Sequence, residues 1–162
     1  MKLNEKIKEY ILSRTVSSSE RRIGIEVECF IYKKNFSRIP VNKSKEYSAI
    51  DLLNELNKIN KDSNGTYSLE PGGQIEWSSP PCENMFALDD AIASYKSLID
   101  SILNKRNLTS LYIGVEPFTD PENIELIDQK KYQLMNLNMG KRGLLGKWMM
   151  RNTSSIQVNY DI

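Results

Sequence analysis

Three separated segments of this chain alternate apolar and polar side chains with a period of two, and that pattern restricts the fold more than any other feature. In "RRIGIEVECFIYKK", Ile23, Ile25, Val27, Cys29 and Ile31 alternate with Gly24, Glu26, Glu28 and Phe30. In "SLEPGGQIEWSSPP", Ile75 and Trp77 take one face while Gln74, Glu76 and Ser78 take the other. In "RNTSSIQVNYDI", Ile156, Val158, Tyr160 and Ile162 oppose Thr153, Ser155, Gln157, Asn159 and Asp161. Successive side chains of a strand point to opposite faces, so each segment reads as a strand with one buried face. Pro71, Gly72 and Gly73 stand inside the second segment. Proline presets the φ of a turn and glycine takes φ > 0 freely, so the chain reverses there as a hairpin.

Between these strands the period changes to that of a helix. Leu3, Ile7, Tyr10 and Ile11 are spaced for an amphipathic helix over 3–14, ahead of a polar "SSSE" link. Ile50, Leu53, Leu56 and Ile59 form one stripe over 48–60, which the polar "NKDSNG" should end. Met85, Leu88, Ile92, Tyr95, Ile99 and Ile102 or Leu103 mark a long core-facing helix. "SLYIGVEPF" predicts a further strand, "DPENIELIDQ" a loop or short helical turn, and "KKYQLMNLNM" and "GLLGKWMM" two more helical pieces. The pattern predicts an α+β fold: an antiparallel sheet, one face packed on helices and the other polar.

Composition excludes several functions. The 162 residues, 40% hydrophobic and 27% charged, suit one soluble domain. A net charge of +1 argues against nucleic acid, which selects a clustered basic excess. No apolar run approaches a membrane span and the opening "MKLNEKIKEYILSR" lacks a signal-peptide core, so no membrane is expected and a cytoplasmic location is. Cys29 and Cys82 are too few for a disulfide framework or a zinc site, and Cys29 falls on the apolar parity of its strand. The chain has no histidine, which removes Ser-His-Asp and Cys-His catalysis and His-ligated zinc. No side chain is assigned here as catalytic nucleophile or base.

The polar faces of the three strands carry Glu26 and Glu28, Gln74 and Glu76, and Gln157 and Asn159. In one sheet these would gather on a single surface without interleaved bases. Crowded carboxylates repel one another unless a cation neutralises them, and all-oxygen ligation selects Mg²⁺ or Mn²⁺, whose shell substrate phosphates usually complete. An ATP-using enzyme is the expectation. The glycine-rich "MGKRGLLGKW" is no Walker loop, since glycine is missing at the required offset and Trp148 occupies the Ser/Thr position.

"RIGIEVECF", "SLEPGGQIEWSSPP", "KKYQLMN" and "KRGLLGKWMMRNTSSIQVNYDI" together resemble the glutamate-cysteine ligases of plant and proteobacterial type, from about Arg22 to Ile162. The resemblance implies a glutamine-synthetase-like half-funnel of antiparallel strands with helices outside. It implies ATP-dependent joining of the glutamate γ-carboxylate to the cysteine amine through an acyl phosphate, the first step of glutathione synthesis. Glutamate, cysteine and ATP would be the partners and Mg²⁺ the cofactor. Glu26, Glu28 and Glu76 then look like metal ligands and Gln157 a neighbour of the metal or nucleotide. Arg151, Thr153, Glu70 and Gln74 resemble substrate-holding positions, with Glu70 and the Pro71–Gly73 turn shaping the rim. Lys131 departs from the resemblance, which leads one to expect Arg there.

Family members are considerably longer. The chain therefore reads as the N-terminal part of one ligase domain, with an incomplete sheet, inactive alone, and self-associating through the strand near 153–162. A related ligase with another amine substrate, and a non-catalytic module binding glutamate or Mg²⁺, are the alternatives.

Overall fold

The computed structural model describes residues 2–60 and 64–162. Its centre is the long strand β1 (Ile23–Lys33), with which three of the other four strands pair. β3 (Ile75–Ser78) runs antiparallel along one edge of β1, and β2 (Thr66–Leu69) pairs with β3 in turn. β5 (Ile156–Tyr160) lies antiparallel to residues Ile23–Val27, and β4 (Leu108–Leu111) antiparallel to Phe30–Lys33. The opposite edge of β1 near Ile31 and Lys33 is taken by Ile39 and Ser37, so β4 and β5 follow each other along the edge away from β3. The result is the expected α+β architecture: a five-stranded, wholly antiparallel sheet with helices against its apolar face.

The hairpin turn uses both of its glycines, for different reasons. Gly73 N–H donates to Glu70 O at 2.8 Å and Gly73 has φ +79°, a left-handed conformation that costs other residues about 1–2 kcal/mol. At Gly72 a Cβ would lie 2.6 Å from Arg151 Cα, so the absent side chain lets another segment of backbone close in.

The core follows the parity of the strands. Val27, Cys29, Ile31, Ile75 and Trp77 pack with Leu52 and Leu56 of α2 (Ala49–Ile59) and with Tyr95, Ile99, Ile102 and Leu103 of α3 (Met85–Asn104). Ser48 starts α2 with a capping box to Asp51. Trp77 stacks on Tyr95 at 4.6 Å and 4°, and its indole N–H donates to Asn64 O, so the ring's one polar group is satisfied. Both cysteines are free and buried, and burial pushes the Cys29 thiol up to about 12, which fits packing rather than chemistry.

Several expectations change. The strand predicted at "SLYIGVEPF" is β4, which starts earlier and ends at Leu111. Beyond it the chain bends at Gly114 and again at Phe118 and Thr119, where the Glu116 carboxylate accepts from Phe118 N–H and Thr119 N–H to make a turn. Met85, placed in the core stripe, is exposed in the first turn of α3. Lys61, Asp62 and Ser63, part of the polar stretch expected to end α2, lie outside the described residues. α4 (Lys130–Arg142) and α5 (Gly146–Asn152) form as expected, joined by a turn at Leu144 and Leu145.

Among the described residues, apolar side chains are uncovered on the first helix and on the β5 segment. α1 (Leu3–Leu12) has no buried residue, so its stripe of Leu3, Ile7, Tyr10 and Ile11 faces outward. Ile156, Val158, Tyr160 and Ile162 of the β5 segment are between 61% and 64% exposed.

Candidate functional site

On the sheet face away from α2 and α3, Glu28 stands directly across from Glu76 in the β1–β3 register. Glu26, two residues back on the same face, stands across from Ser78 on one side and Gln157 on the other. Ser68 of β2 stands across from Glu76. The period-two pattern thus brings Glu26, Glu28, Glu76 and Gln157 onto one surface. Glu70 joins it at the hairpin turn by the parity of β2.

Each strand carboxylate is held by a neighbour. Ser155 N–H and Oγ–H donate to the two oxygens of Glu28, both at 3.0 Å. Ser68 Oγ–H donates to Glu76 at 2.7 Å, and Asn159 Nδ2 to Glu26 at 3.2 Å. Burial holds the Glu28 carboxyl above its usual range; the Ser155 bonds oppose this, and the charges of Glu76 and Glu26 add to it. Glu70 is raised also, first by burial and then by Glu76 and Glu28, with Lys131 acting the other way. Lys131, which departs from the resemblance, is thus, among the described residues, a cation that offsets charge at this end of the cluster. A cleft of about 520 Å³ opens beside Glu26, Ser78 and Asn159, and one of about 270 Å³ beside Glu28, Ser155 and Gly114.

As placed, the carboxylates turn toward these hydroxyls and amides. Among the described residues no three acidic, cysteine or histidine side chains converge closely enough to hold an ion. The donor set itself fits a hard divalent cation: two opposed carboxylates, a third on the same face and a carboxamide next to it, oxygen donors throughout. Glu26, Glu28, Glu76 and Gln157 are the residues that would hold one.

The other candidate residues lie elsewhere. Gln74 shares the parity of Glu76 but is 1% exposed, covered by the Arg151–Thr153 segment, and its Nε2 donates to Thr153 O at 2.8 Å. The Arg151 guanidinium donates to Pro121 O and Ile124 O, both at 2.8 Å, and to Asn136 at 3.0 Å. Thr153 Oγ–H donates to Met149 O at the end of α5. Gln74, Arg151 and Thr153 thus join the α5–β5 junction to its surroundings, and the structure does not bring them to the carboxylates.

Sequence reasoning passed over Arg38, Glu116 and Asn152. Arg38 bridges two backbone carbonyls, and Asn152 donates to Glu116, both of them fully buried. A lone Arg in "FSRIP" and a Glu in "VEPF" carry no periodic signal, although an acid in a predicted apolar strand was itself a hint.

Comparison with known proteins decides the family. Residues 22–162 match the model of glutamate-cysteine ligase family 2 (GCS2). The chain belongs to glutamate-cysteine ligase family 2. Among curated relatives, the chloroplastic glutamate–cysteine ligase of Arabidopsis thaliana is 30% identical over 94% of this chain and 31% of its own length. Glutamate–cysteine ligase B of Oryza sativa subsp. japonica, also chloroplastic, is 30% identical over 97% of this chain and 34% of its own length. The chain thus spans about a third of the length of these relatives. The span matched to family 2 contains every residue of the carboxylate face, while α1 lies before it. Among the described residues no helix is long and apolar enough to cross a membrane.

Proposed function

We propose that this chain carries the acid-lined sheet of an ATP-dependent ligase that joins the glutamate γ-carboxylate to the amine of cysteine, the first step of glutathione synthesis. The observation that carries the reading is the opposition of Glu28 and Glu76, with Glu26 beside them, in a chain of this family. In the reaction, a γ-carboxylate oxygen attacks the terminal phosphorus of ATP and ADP leaves. The cysteine nitrogen then attacks the acyl carbon, phosphate leaves and the amine loses a proton. No protein nucleophile is required, in keeping with a chain that has no histidine. Mg²⁺ held by Glu26, Glu28, Glu76 and Gln157 would supply charge neutralisation at the phosphate oxygens. The chain's own part is positioning. Ser155, Ser68 and Asn159 fix the carboxylates before substrate arrives, so that little reorganisation is left for the reaction itself.

The reading includes self-association. The uncovered row from Ile156 to Ile162 and the outer edge of β5 offer an apolar face and backbone groups to a second copy.

The test of function is an exchange. Residues 22–162 replace the segment they match in the Arabidopsis thaliana ligase, and phosphate release dependent on ATP, glutamate and cysteine is measured. Activity that survives the exchange and is lost with Glu76→Gln, at unchanged circular dichroism, supports the reading. Near-normal turnover by the Glu76→Gln exchange makes that carboxylate an ordinary strand residue and overturns it.

A further inference from the structure

At the turn end of the hairpin, the segment leading into β5 is fastened to the turn at several points. Arg151 backbone closes on Gly72, which has no side chain to keep it away. Gln74 Nε2 donates to Thr153 O at 2.8 Å. Arg38 reaches both sides: one guanidinium nitrogen donates to Arg151 O at 2.8 Å, and the other to Gly72 O. The guanidinium lies over the Phe30 ring at 4.9 Å, and among the described residues no carboxylate forms an ion pair with it. Its charge is therefore directed at two carbonyls, one from the hairpin and one from the end of α5.

The segment so fastened runs directly to Ser155. Ser155 N–H and Oγ–H hold the Glu28 carboxylate, and Ser155 O accepts from Glu28 N–H at 3.0 Å. The hairpin on the other side of the clamp carries Glu70 and Glu76. We infer that Arg38 is a positioning residue of the carboxylate face: by clamping Gly72 to Arg151 it sets Ser155 on Glu28 at a fixed distance from Glu76. This rests on the proposed function only in making the face a cation site; the clamp itself stands on the hydrogen bonds. A guanidinium suits the task because its planar fork directs separate N–H groups at two carbonyls, whereas an ammonium presents one flexible nitrogen.

The test uses the 162-residue chain with Arg38→Met and Arg38→Lys. Amide exchange is followed by NMR at Ser155 and Glu28, with Ile99 and Ile102 of α3 as the core reference, and Mn²⁺ affinity is read by electron paramagnetic resonance. Local loosening should speed exchange at Ser155 and Glu28 about tenfold more than at the reference amides in Arg38→Met, with Mn²⁺ affinity weakened by a similar factor. Arg38→Lys should restore both in part, and it preserves the positive charge if the Met variant does not fold. Equal acceleration at all four amides, or none, overturns the clamp. Selective loosening with unchanged Mn²⁺ affinity overturns its role in positioning. A wild-type chain that binds no Mn²⁺ overturns the cation site, while the exchange ratio still decides the clamp.

Discussion

Glu28 and Glu76 face each other across neighbouring strands, each held by a serine and, among the described residues, neither by a base. Ser155 donates twice to Glu28, and Ser68 once to Glu76. Like charges directly opposite one another weaken a sheet, and hydroxyl donors offset only part of that repulsion. Opposed carboxylates are relieved most directly by a bound cation, which is why a cation-binding role is proposed for this pair.

The charge cost can be read at Glu70. Its carboxyl is raised by burial, then by Glu76 and Glu28, so the folded chain holds a proton there to higher pH than the unfolded chain. Such a group favours folding at low pH, and its contribution falls as pH rises through the folded-state value. Glu70→Gln should therefore raise the thermal midpoint at pH 7, and the difference should fade as pH drops below the usual 4.5. Thermal melts between pH 4 and 8 check this; a gain independent of pH would assign the effect to something other than charge.

Gly72→Ala places a methyl 2.6 Å from Arg151 Cα and 2.7 Å from Arg151 O. Backbone on that side cannot rotate away as a side chain would. The variant should lose about 1–3 kcal/mol in urea unfolding, as overpacked positions do. A change within about 0.5 kcal/mol, ordinary for surface positions, would show that the contact is loose.

Much of this was legible in the strands because burial of one face enforces a period of two. Val27, Cys29, Ile75 and Trp77 are buried as their parity requires, and the carboxylates follow from the same rule. Gln74 shows its limit. Parity assigns the face of a side chain but not what lies over it, and Arg151–Thr153 covers Gln74 from far along the chain. Arg38 was illegible for a related reason: its partners are carbonyls of Gly72 and Arg151, and backbone atoms leave no signature in residue type. The end of β4 was missed because apolar residues continue past Leu111, although pairing with β1 stops there and the chain bends at Gly114.

Association through β5 should be removable from its apolar face. Val158 lies across from Ile25, is 64% exposed, and sits in the middle of the uncovered row. Val158→Lys should shift the chain toward monomer in sedimentation velocity, most clearly at low salt, where like charges repel. If both forms sediment identically as oligomers, another surface joins them, and the stripe of α1 is the next to alter.

Whether Glu26, Glu28 and Glu76 act as the proposed cation-binding surface is decided by Mn²⁺ titration of the chain, followed by electron paramagnetic resonance. The expected result is weak, saturable binding of one ion, displaced by Mg²⁺ and abolished in the Glu28→Gln, Glu76→Gln double variant, whose circular dichroism matches the parent. Saturable binding that persists undiminished in the folded double variant would contradict it, as would no binding by the parent chain.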